Sequence, residues 1–116
     1  MPMDPELKAK WVAALRSGEY KQGRDVLHNN KSNTYCCLGV LCRVAEFETV
    51  GFSDSATVFS IPGFTPSSTS IPVEFFGIDP NNSKINPVDK VIDFNDRSDS
   101  AHRGFKGIAT YIEKHF

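Results

Sequence analysis

The segment Cys37-Leu38-Gly39-Val40-Leu41-Cys42-Arg43-Val44-Ala45-Glu46-Phe47 constrains the fold more than any other part of the chain. At helical spacing Leu38, Leu41, Cys42 and Ala45 share one face, and Val40, Val44 and Phe47 fill much of the other. Only Arg43 and Glu46 carry charge. A helix that is apolar on nearly all sides belongs at the centre of a domain, with other elements packed around it. Gly39 weakens such a helix, a cost that close approach of another backbone would offset. The spacing therefore predicts a central helix over 37–47.

Two further helices are predicted to pack on it. Asp4 can cap the first, Pro5 suits its first position, and Glu6 suits the positive end of its dipole. Leu7, Trp11, Ala14 and Leu15 form one apolar face, widened by Val12, and Gly18 suits a left-handed cap. These signals place a helix over 5–17. At the other end Phe105, Ile108, Ala109, Ile112 and Phe116 recur at helical spacing, with Ser98, Asp99 or Ser100 as cap, which places a helix over 99–115. Gly104 and Gly107 weaken that helix, so packing must hold it.

The remainder reads as short pieces. His28-Asn29-Asn30-Lys31-Ser32-Asn33 is an exposed turn between extended pieces at 24–28 and 34–36. Residues 50–70, rich in Ser, Thr, Gly and Pro, read as an irregular loop-rich segment with one short strand at 57–61. Pro72 and Gly77 bracket a single helical turn over 72–76. Lys90-Val91-Ile92-Asp93-Phe94 alternates as a short strand. The whole is one α+β domain over 1–116, mostly helical, with about three helices and a minor sheet of two or three short strands.

Composition removes several function classes. The chain has 116 residues, 13 basic and 14 acidic, for a formal net charge of -1. No block of like charge stands out, so the basic stripe of a nucleic-acid binder is not expected. No apolar run reaches membrane-spanning length, and the polar Met1–Glu6 lacks a signal region. Three clustered cysteines make a poor disulfide framework, so reduced thiols and a cytoplasmic location are expected.

Two kinds of chemistry remain to be weighed. Cys36 or Cys37 would stand at a helix start, where the dipole favours a thiolate. A cysteine hydrolase would pair it with a histidine and an orienting Asn or Asp; the chain offers His28, His102 and His115 with Asn95 and Asp96, and Cys36–His102–Asp96 is one conceivable set. Nothing in the spacing forces these together, and cysteine is among the most buried residue types, so core packing is the favoured reading. Metal binding is disfavoured, because there is no C-x-x-C pair and adjacent cysteines point apart. Asp93, Asp96 and Asp99 beside Asn95 read better as a strand end and helix caps than as a cation site. No phosphate-cradling loop and no cofactor signature is present. The other lead is aromatic: Phe52, Phe59, Phe64, Phe75 and Phe76 crowd one loop-rich region. Those left outside the core would suit a partner surface or small-ligand pocket, with Tyr20, Gln22, Phe59, Phe64 and Arg103 as its candidate residues.

Three phrases carry a resemblance. They are Trp11-Val12-x-Ala14-Leu15-Arg16-Ser17-Gly18-x-Tyr20-x-Gln22-Gly23, Tyr35-Cys36-Cys37-Leu38-Gly39-Val40-Leu41-Cys42, and Asn95-Asp96 followed by Phe105-x-x-Ile108-Ala109-x-x-Ile112-Glu113. With them the chain resembles a group of small proteins encoded by bacteriophages and prophages. The resemblance implies a phage-associated setting in a bacterial host cell and carries over no catalytic residue. The favoured expectation is a non-enzymatic phage accessory protein that binds a host protein or small host metabolite, for example to counteract host defence. A small cysteine-dependent hydrolase and a virion structural protein are the alternatives.

Overall fold

A computed structural model describes residues 4–23, 26–69, 71–76, 87–96 and 104–115. Helix α1 (Pro5–Ser17) begins as its sequence dictates: the Asp4 carboxylate accepts from the Glu6 N–H at 3.2 Å. It ends at Gly18, whose φ of 79° is the left-handed cap. The helix buries Trp11, Val12 and Leu15. The Trp11 indole N–H donates to the Cys37 carbonyl at 2.8 Å and so fixes α1 to the start of the next helix.

That helix, α2 (Cys37–Val44), is the centre. Cys37 through Cys42 are all buried, six consecutive positions, which is the all-round burial its apolar surface calls for. A side chain at Gly39 would meet the Leu27 carbonyl oxygen at 1.7 Å, so only glycine lets β1 (His28–Asn29) approach here. The helix stops at Val44 instead of running to 47. Phe47 N–H bonds to Cys42 C=O at 3.0 Å and Glu46 N–H to Arg43 C=O at 3.1 Å. With Glu46 at φ 59° this is the Schellman stop, made with a glutamate in the left-handed position.

Four strands form one antiparallel sheet, β2 (Thr34–Tyr35), β1, β4 (Ala56–Ser60) and β3 (Glu48–Ser53), in that spatial order. Four strands replace the expected two or three. The loop-rich reading of 50–70 gives way over its first half to the β3–β4 hairpin. That hairpin turns at Asp54-Ser55 and is bulged between Thr49 and Gly51. The β1–β2 hairpin has its turn where one was expected but shorter, at 30–33: His28 and Asn29 pair with β2 and His28 is buried, while residues 24 and 25 lie outside the described set.

A 3-10 turn at Val73–Phe76 fulfils the expected single turn and buries Phe76, whose ring centroid lies 6.0 Å from that of Trp11. Residues 90–94 are not a strand. They lie in helix α3 (Pro87–Asp96), which places Val91 and Asn95 on one buried face. Helix α4 (Phe105–His115) packs along α1 and α3 and buries Phe105, Ile108, Ala109 and Ile112. The expected start at 99 and its caps fall outside the described residues. The architecture is α+β, with α2 held between the other helices and the sheet. Trp11, Leu15, Leu38, Leu41, Cys42, Phe105, Ile108 and Ile112 share one core.

Candidate functional site

The three thiols are free and buried. Cys36 is the residue that caps α2, and its Sγ accepts the Gly39 N–H at 3.4 Å. The sulfur thus satisfies a helix amide and faces inward. Cys37 Sγ donates to the Val91 carbonyl of α3 at 3.6 Å. Burial pushes the Cys42 thiol well above its ordinary range, and neighbouring Cys36 adds to the rise. None of the three presents a solvent-facing nucleophile.

The residues a hydrolase would need are not assembled among the described ones. His102 lies outside them, and so does Arg103. Asp96 is the last residue of α3. The histidine beside the cysteine helix is His28, paired across the hairpin with Tyr35. Both its ring nitrogens are engaged, Nδ1 with Thr57 Oγ1 at 2.8 Å and Nε2 with Asn33 Oδ1 at 2.9 Å. Thr57 in turn donates to Asn30 Oδ1 at 2.8 Å. No ring nitrogen is left over for a thiol. His28 stacks on Tyr35 with centroids 4.3 Å apart, Tyr20 meets Tyr35 edge-on at 5.2 Å, and Arg43 donates from Nε to the Tyr35 hydroxyl at 3.2 Å. This satisfied polar cluster pins the β1–β2 hairpin to β4 and α2. Among the described residues no group of three metal-ligating side chains occurs.

The other sequence candidates separate. Gln22 Nε2 donates to Asn95 Oδ1 at 3.0 Å, and Asn95 Nδ2 donates to the Gly23 carbonyl at 2.9 Å. Gln22 therefore joins the 20–23 segment to α3. Asn95 is fully buried and carries a role that the sequence hid, because a lone Asn in a polar stretch reads as a turn. Phe59 is a core residue with no exposed surface, and Arg43 lies over its ring at 5.5 Å, so it cannot touch a partner. Phe64 and Tyr20 are half-buried and pack against the core. The structure does not gather Tyr20, Gln22, Phe59 and Phe64 into one pocket wall.

What remains open lies on β3. All six of its residues are exposed, and Val50 and Phe52 keep 54% and 71% of their surface in water. β3 is the outer strand of the sheet, so one row of its N–H and C=O groups faces away from β4. Phe52 pairs with Thr57, and Thr57 points into the polar cluster. Phe52 thus stands on the core-facing side of a strand that overhangs the core. The feature was half legible: Phe52 belonged to the aromatic lead, but Val50 gave no sign of exposure. No described helix is long and apolar enough to cross a membrane.

The chain belongs to the family described as Domain of unknown function (DUF8296), whose model matches residues 3–116. No curated protein and no solved structure matches it.

Proposed function

We propose that this protein is a non-enzymatic phage accessory protein that acts by holding a protein of the bacterial host in the host cytoplasm. The observation that carries the reading is the exposed edge strand β3, with Val50 and Phe52 in water. An edge of this kind offers a row of backbone donors and acceptors, which suits a chain better than a small metabolite. The thiols support the same reading, because each is buried and two of them are engaged in hydrogen bonds. The phage setting rests on the resemblance of the tryptophan and cysteine phrases.

The test compares immobilised wild type with Phe52→Lys in bacterial lysate. Wild type retains a protein that the variant loses, and Cys36→Ala retains it too. Turnover of ester or amide substrates that Cys36→Ala abolishes would overturn the reading in favour of a hydrolase. Large homogeneous assemblies on sizing would overturn it in favour of a virion component.

A further inference from the structure

We infer that β3 takes up an extended peptide segment of its partner as a fifth strand, and that this segment carries basic residues on both sides of a short apolar stretch. The inference deepens the binding reading above and rests on it. Three observations lead to it.

The edge is free. Among the described residues β3 pairs with β4 on one side only, and no strand pairs with it on the other. Edge strands are normally guarded by lysine, by proline, by a bulge or by a covering element. β3 carries no lysine and no proline, and the bulge at Val50 is its sole irregularity. Apart from its chain neighbours, nothing lies within 4 Å of where a Gly51 side chain would begin, so the sheet face is open at this point.

The edge is apolar in the middle and acidic at its ends. Val50 and Phe52 are the exposed apolar pair, Glu48 opens the strand, and Asp54 follows it. Both carboxylates are exposed, and so is Glu46 just upstream. No basic residue lies between 44 and 60. A strand laid along this edge meets negative charge at each end, which selects basic flanks and speeds their encounter.

The same charges argue against a second copy of this chain. Antiparallel self-pairing centred on Gly51 brings Glu48 of one copy beside Asp54 of the other, twice over. Like charges placed so destabilise a strand pair. The edge is therefore suited to a foreign segment.

The test uses three labelled synthetic peptides and fluorescence anisotropy. The first alternates valine and threonine between pairs of lysines, the second replaces the lysines by glutamates, and the third places proline at the centre of the first. The lysine-flanked peptide binds wild type, added salt weakens it, and the other two do not bind. Glu48→Gln with Asp54→Asn weakens it about three- to tenfold, the size expected of two exposed charge pairs. Asn keeps the left-handed backbone at position 54, where φ is 52°, so the fold is preserved. Equal binding of lysine- and glutamate-flanked peptides overturns the proposal, and so does binding that the double variant leaves unchanged. A concentration-dependent dimer lost in Phe52→Lys overturns it in favour of a second copy. If Phe52→Lys loses the lysate protein while no peptide preference appears, the charge assignment alone fails. If that variant retains the lysate protein, the binding reading fails with it.

Discussion

Helix α2 and strand β3 are separated by three residues and have opposite surroundings. In α2 the run Cys37–Cys42 is buried and the sulfurs at its start are bonded to Gly39 and Val91. In β3 no residue is buried, and one row of its backbone groups has no partner strand among the described residues. The contrast separates two meanings of an unusual residue. A cysteine pair at a helix start looks reactive until its sulfurs are found serving as cap and donor inside the core. A valine and a phenylalanine in a strand look like core until the strand order leaves them in water. Chemistry-bearing residue types mark the finished region here, and ordinary apolar ones mark the unfinished region.

The sharpest way to break the comparison is Gly39→Ala. Helix propensity alone favours alanine by about 1 kcal/mol. The Leu27 carbonyl, 1.7 Å from the new carbon, reverses the sign. That carbonyl also accepts from Cys36 N–H at 3.3 Å, so moving it disturbs the cap. The loss exceeds the roughly 1–3 kcal/mol of ordinary overpacking, and the urea midpoint reads it. A midpoint equal to or above wild type would show that α2 is not closed against β1. Leu41→Ala follows, with a cost of about 2–5 kcal/mol by cavity formation at a fully buried site. A cost below about 1 kcal/mol would mean that the centre collapses freely and is not packed as described.

Asn95→Ala lies between the two regions in size. It removes a fully buried side chain that bonds the half-buried Gly23 carbonyl and Gln22 amide, a loss of about 1–3 kcal/mol. Gln22→Ala paired with it in a double-mutant cycle reads the coupling directly, and additive losses would dissolve the proposed clamp.

The legible parts of the fold were those where each local signal agreed. α1 has its Asp cap, its Pro at the first position and its Gly stop, and α2 has an apolar surface on every side. The illegible parts broke a local rule for a tertiary reason. α3 repeats at i, i+4 through Val91 and Asn95, but the second of these is polar, so the sequence shows alternation there and hides the helical period. The stop of α2 uses Glu46 where glycine or asparagine is the usual signal. The β3–β4 hairpin carries its turn on Asp54-Ser55 and a glycine inside a strand, so its composition looked like loop. The candidate site was the least legible. Exposure of Val50 and Phe52 depends on which strand ends up outermost, and that order is fixed by partners distant in sequence.

The smallest expected effect on stability tests the open side of the comparison. Phe52→Lys replaces an aromatic ring that keeps 71% of its surface in water, so little apolar area is lost from the fold. Substitutions at such sites fall within about ±0.5 kcal/mol. The lysine also adds the charge by which natural edge strands resist pairing. The variant should therefore unfold at the wild-type urea midpoint while it loses the lysate partner and the lysine-flanked peptide. A shift above about 1 kcal/mol would place Phe52 among the residues that hold the fold. β3 would then be a part of the core seen from its edge, and the division between a finished helix and a waiting strand would no longer describe this protein.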